Sequence, residues 1–218
     1  MSGQTMALWS FVEHNLEVKT AHPTKTALVN TVVELLENQR ADELTSEQVL
    51  EISNISKGSL YHHFVDFSAL IDAARIVRYT RWADQSIQIL TTVMNDASNR
   101  EQFFEGLVRV FELTQSPSSR SSRFERARIL GMAEGNPRLM HALGEEQQRL
   151  TESITALVIK AQNAGYLRSD LDSASIALLI QGYAFGKIID DIATLHIDPK
   201  KWNALIADVI EKSLATQA

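Results

Sequence analysis

The sequence predicts an all-α protein, and three observations carry that expectation. Strand signals are scarce, because no run of alternating β-branched residues is bounded by turn residues. Only four prolines and nine glycines interrupt 218 residues, which leaves room for long helices. Apolar residues recur at helical spacing in one segment after another. At 44% hydrophobic and 22% charged, the composition is that of a globular chain with length enough for one or two cored domains. The absence of cysteine excludes disulfides and thiol catalysis and fits a reducing cytoplasm, the expected location. No apolar run is long enough to span a membrane, and the N-terminus lacks a signal-peptide pattern.

Residues 1–22 read as an N-terminal arm. Met6, Trp9, Val12 and Leu16 fall on one helical face, so 5–18 is expected as a short amphipathic helix. It is either an arm packed on its own domain or partly disordered, or one that adds DNA contacts through Lys19 and His22. Pro23 and Thr24 then start the first helix of a domain spanning 23–72. Leu28, Val32, Leu35 and Leu36 form its apolar stripe, and it should end near Asn38. Residues 39–44 are a polar connection.

Residues 45–64 organise the rest of the chain. Thr45 and Gln48 have capping-box spacing, so a helix should start there with Val49 and Ile52 facing inward. Asn54 sits where a left-handed turn residue is wanted. Ile55 plugs the gap between two helices. Ser56 caps a second short helix over 57–64, with Leu60 and Phe64 on its buried side. Helix, tight turn, helix is the shape that places a second helix in a DNA major groove. Lys57, Ser59, Tyr61 and His62 take the exposed side or leading end of that helix, flanked by Gly58. Thr45 and Ser46 sit at a helix start, where free N–H groups favour phosphate.

The run Ile55, Ser56, Lys57, Gly58, Ser59, Leu60, Tyr61, His62, His63, Phe64 resembles the recognition-helix signature of the TetR family of transcriptional regulators. The detailed match covers roughly residues 24–72; beyond it the likeness is one of helical layout. The resemblance implies an all-α regulator: an N-terminal three-helix helix-turn-helix DNA-binding domain, then a roughly six-helix ligand-binding and dimerisation domain over 73–218. It implies a homodimer on a palindromic double-stranded DNA operator, acting as a repressor released by a small-molecule effector. Two features depart from it. The net charge is −6, awkward for a DNA binder that draws affinity from phosphates. Phe67 stands where the family commonly has a phosphate-touching lysine. These favour an alternative, a helical dimeric interaction module with a weakened DNA-binding surface.

Asp66 should cap a long helix from Phe67 to about Met94, carrying Arg75, Arg78 and Arg81 either as a solvated face or as part of a lever between domains. Residues 95–99 make a turn and 101–114 the next helix, with Phe103, Phe104, Leu107, Val110 and Phe111 inward. The Ser/Arg run 116–123 reads as a mobile loop in which Arg120 and Arg123, with Arg126 and Arg128, gather positive charge for an anion or partner. A helix over 124–133 closes at Gly135. Another runs from Pro137 to about Ala164, stopped by Gly165. The last two are expected over 173–195 and from Asp198 and Pro199 onward, apolar on more than one face and suited to a dimer interface. Gly182, Ala184 and Gly186 permit a close helix approach there.

No Walker loop, dinucleotide fingerprint, zinc-protease motif or nucleophile elbow is present, so neither an enzyme nor a cofactor is expected. The pairs His141 with Glu145, and His196 with Asp190 and Asp191, have spacings a metal could use but read as ordinary polar contacts, and no metal site is expected. For an effector pocket among the helices the candidates are Trp82, Phe103, Phe111 and Met140, with His141, Gln181 and Tyr183 as orienting polar groups.

Overall fold

The computed structural model describes residues 22–216, and within them it is all-α. The expected helix over 5–18 and Lys19 lie outside the described residues. Nine α-helices follow in order: α1 Pro23–Asn38, α2 Ser46–Ser53, α3 Lys57–His63, α4 Phe67–Asp96, α5 Arg100–Gln115, α6 Arg120–Ala133, α7 Pro137–Asn163, α8 Ser173–Asp191 and α9 Pro199–Leu214. No helix among the described residues is long and apolar enough to cross a membrane.

The chain divides into two compact units after Trp82, inside α4. That is later than the boundary at 72–73 read from the sequence. The reason is packing: Tyr79 is buried, and the Arg78 guanidinium donates to the Leu36 carbonyl at the end of α1. Arg75 is also turned inward, paired with Asp72 at 3.0 Å. At least these two arginines are therefore not a solvated face.

The first unit closes on one core. Leu28, Val29, Val32 and Val33 of α1 meet Val49, Leu60, Phe64, Leu70, Ile71 and Ala74. Burying side chains of this size contributes roughly 1.5–3 kcal/mol each. Leu44, at the end of a 3-10 turn over Ala41–Glu43, joins that core, so the polar connection has one apolar anchor. Ile52 does not join it; at 53% exposed it corrects the inward assignment. The buried face of α2 runs through Val49 and Leu50, and Ile52 lies to one side of it.

In the second unit the Ser/Arg run is ordered. A 3-10 turn, Pro117–Ser119, leads directly into α6 at Arg120. Arg123 is 1% exposed; its Nε and Nη2 donate to the Asp191 carboxylate at 2.7 and 2.8 Å, and its Nη1 to the Thr114 and Ser116 carbonyls. Arg120 donates to the Asp191 carbonyl at 2.8 Å. Lys187, itself buried, pairs with Asp190 and lies 3.8 Å from Asp191. The Arg123 guanidinium holds the Asp191 carboxyl below the usual carboxylate range. The expected mobile loop is thus tied into a buried ion network, and α8 ends at Asp191 rather than near Leu195.

Residues 165–168 and 214–216 stitch the end of the described chain to its middle. Gly165 takes φ +74° after α7, as its stop role requires. Leu167 forms an isolated bridge with Ala215, Arg168 N–H donates to the Leu214 carbonyl at 2.8 Å, and Arg100 Nη1 donates to the Thr216 carbonyl at 2.7 Å. Gly106 of α5 lets α4 approach closely: a Cβ there would lie 2.7 Å from Val93 Cγ1.

Candidate nucleic-acid interface and effector cavity

The helix-turn-helix is built by local chemistry. Thr45 Oγ1 accepts from Gln48 N–H at 3.2 Å and so caps α2. Gln48 completes only half a capping box, since its side chain donates to Gln39 Oε1 at 3.1 Å. Asn54 turns the chain at φ 54°, ψ 33°, the one non-glycine residue with positive φ among those described. Ser56 Oγ then accepts from Ser59 N–H at 3.2 Å and caps α3. Asp66 Oδ1 accepts from Ala69 N–H at 2.6 Å at the start of α4.

With Leu60 fully buried, the opposite side of α3 faces out. Lys57, Gly58, Tyr61 and His62 are exposed, Tyr61 at 44%. Ser59 is half-buried and linked to Ser56. Thr45 is exposed and Ser46 half-buried at the head of α2. Among the described residues a Cβ on Gly58 would meet only Ser56 Oγ, at 4.0 Å, so their packing does not require glycine there. Glu47 sits near this surface. Its carboxyl is held below the ordinary range by its own backbone N–H and the Ser46 hydroxyl, with Lys57 adding to the effect.

At the far end of α3, His63 lies between two other rings, with centroids 4.4 Å from His22 and 5.0 Å from His62. Lys25 Nζ sits 5.6 Å from the Phe64 ring centroid. Burial pushes the His63 pKa down, and His22, His62 and Lys25 push it the same way.

The second unit holds an apolar cavity with about 30 Å³ of free space. Leu90 and Met94 of α4, Phe103 and Phe111 of α5, Ile154 of α7, Ile180 of α8 and Ile210 of α9 are among the residues lining it. Of the pocket residues read from the sequence, it brings together Phe103 and Phe111. Met140 is 52% exposed, and His141 is exposed and 3.5 Å from Glu145. Trp82 packs on Tyr79 within the first unit. Gln181 is spent on Gln147, Thr151 and the Ala177 carbonyl. Tyr183 adjoins the lining through Phe111, at 5.1 Å between ring centroids, and stacks on Trp202; burial raises its pKa to about 12. Sequence reasoning missed Leu90 and Met94, whose places in the long α4 stripe gave no sign of a cavity. His196 contacts Asp190 through the backbone carbonyl at 2.8 Å. Among the described residues no group of three or more His, Cys, Asp or Glu is placed to hold a metal ion.

No family model matches the chain. It is 25% identical over 175 residues to the HTH-type transcriptional regulator UidR of Escherichia coli K12, covering 78% of this chain and 82% of UidR. A solved TetR-family transcriptional regulator from Mesorhizobium loti superposes with a TM-score of 0.65 at 14% identity, over 92% of this chain and all of that one. A transcriptional regulator from Saccharomonospora viridis, solved with choline, gives 0.63 at 16% identity, over 88% and 98%. Salmonella enterica GusR gives 0.58 at 17%, over 91% and 99%. The chain is therefore TetR-like in more than residues 55–64: over about nine-tenths of its length it carries the all-α fold of the TetR-family transcriptional regulators.

Proposed function

We propose that this chain is a TetR-like transcriptional regulator that binds a palindromic operator as a homodimer, represses from it, and is released by a small-molecule effector. The observation that carries the reading is the capped α2–Asn54–α3 unit, whose outer face presents Lys57, Gly58, Tyr61 and His62 over a closed core. Such a helix reads only a few base pairs, so specificity calls for two of them related by a two-fold axis. The similarity to UidR supports the regulator class.

The dimer reading rests on α8 and α9. Leu178, Leu179 and Ile189 on the first, Ile192 directly after it, and Leu205 and Val209 on the second, are each at least 46% exposed. Cβ atoms on Gly182 and Gly186 would meet nothing within 4 Å, so no described residue of the same chain uses the close approach those glycines permit. A second copy is the occupant that two-site reading of an operator calls for. The effector reading rests on the cavity beside Phe103 and Phe111, to which α4 contributes Leu90 and Met94. An effector that favours the unbound form must lose affinity when DNA is present, by the same factor that it weakens DNA binding, typically about five- to 150-fold. Phe67 and the acidic balance support the second reading, an interaction module with a weakened DNA surface.

A gel-shift titration against the upstream region of its own gene separates the two. Binding is expected, and Tyr61→Ala or Lys57→Ala should weaken it severalfold with thermal stability nearly unchanged. No shift, or unaltered affinity in both variants, sinks the assignment.

A further inference from the structure

The first unit has a charge problem that its backbone geometry does not solve. Over residues 22–82 there are six Lys and Arg against eight Asp and Glu, a net −2. Several of the cations are committed: Arg75 to Asp72, Arg78 to the Leu36 carbonyl, Arg40 to Asp42 at 3.0 Å. Phosphate contacts draw on cations that are free to meet them. The same stretch nevertheless holds three of the six histidines in the chain, and the fold gathers all three in one place. His22 precedes α1, His62 and His63 end α3, and both His22 and His62 are exposed.

We propose that His22, His62 and His63, with Lys25, form a phosphate-binding site that must take up protons to work, so that DNA affinity is set by pH across the physiological range. The site rests on the regulator reading above and deepens it. Protonating all three rings would move the unit from −2 to +1. Histidine is the side chain whose ordinary pKa, about 6.5, allows that change near neutrality. The charged groups acting on His63 are His22 and Lys25 from α1 and His62 from α3. All repel its proton, and Asp66, the nearest acid in sequence, is turned to the Ala69 N–H. In the free protein His63 therefore resists charging. A phosphate set among the rings reverses the balance, and the carbonyl end of α3 adds a weak attraction for imidazolium. Proton uptake and DNA binding are then linked: each proton gained on binding contributes up to about tenfold in affinity per pH unit.

The test uses the full chain and a random-sequence duplex at low salt, because phosphate contacts are independent of sequence. Fluorescence anisotropy at pH 7.5 and at pH 6.0 should show about tenfold or more tighter binding at the lower pH, with a steeper dependence on salt. The triple variant His22→Gln/His62→Gln/His63→Gln should lose most of that gain. The exposed single variant His62→Gln, which leaves the core untouched, should lose part of it and keeps the test decisive if the triple variant misfolds. His141→Gln/His196→Gln, in the other unit, should retain the full gain. Affinity equal at both pH values, or a pH gain undiminished in His62→Gln and the triple variant, overturns the proposal while leaving the regulator reading intact. No binding to any duplex at either pH overturns both.

Discussion

The helix-turn-helix unit and the α8–α9 region obey opposite rules. In the first, the core closes on apolar side chains and charge lies mostly outside: Leu28, Val32, Val49, Leu60 and Leu70 are at most 1% exposed, and among the described residues Ile52 and Val65 are the large aliphatic side chains left in the open. In the second, Ile189 and Ile192 are 76% and 69% exposed, while Arg123, Lys187 and Asp191 are buried. A patch of exposed large apolar residues marks a surface that something else covers. Buried, paired charge marks a place where geometry is fixed even at a cost in desolvation. One region closes on an apolar core; the other holds its shape with buried ions and keeps large apolar side chains at its surface.

Ile189→Asp is the sharpest way to break that contrast. It adds a charge where one chain leaves 76% exposure, so the fold should persist by circular dichroism. If a copy covers this face, light scattering should show monomers, and operator affinity should fall by roughly a hundredfold as two-site binding is lost. Unchanged mass and affinity would return the face to ordinary surface.

Arg123→Ala attacks the other half of the contrast. It strands a buried Asp191 and should cost about 3–5 kcal/mol in denaturant titration. Replacing both partners, Arg123→Met with Asp191→Leu, should recover much of that loss. The pH dependence has a definite sign. Because Arg123 depresses the Asp191 pKa on folding, the stabilisation is present above the unfolded carboxylate value and lost as pH falls through the lower folded one. Acid sensitivity in that window should therefore shrink in the double variant.

Gly106→Ala should cost about 1–3 kcal/mol through the Val93 contact, and Val93→Ala in the same chain should relieve it. The smallest effect belongs to the closed unit. Asn54→Ala should cost about 1–2 kcal/mol for its left-handed backbone, while Asn54→Gly should be nearly neutral.

These sites also mark what the sequence made legible. The caps Thr45 and Ser56, the turn at Asn54 and the inward Leu60 could be read directly, because each is decided by residues within one helical turn. The role of Arg123 could not, because its partner Asp191 is 68 residues away and a Ser-rich neighbourhood looks like a loop. Ile52 was misplaced because an eight-residue helix is too short for its stripe to fix a face. Met140 and His141 were placed in a pocket because apolar spacing identifies a helix without saying which of its neighbours encloses a cavity. That Phe103 and Phe111 point inward was legible, as they are large side chains on the apolar side of their helix.

The stitching of residues 214–216 has a consequence for how the chain is made. The first unit contains its own core by residue 82 and can close as soon as that stretch has emerged from the ribosome. The second cannot. Arg100 waits for the carbonyl of Thr216, 116 positions later, and Leu167 waits for Ala215. Contacts of such long sequence separation form late and slowly. During synthesis the start of α5 and the segment after α7 therefore lack these fastenings until the last described residues are translated. The nascent second unit, and not the DNA-reading one, is where chaperone dependence and aggregation during expression should concentrate.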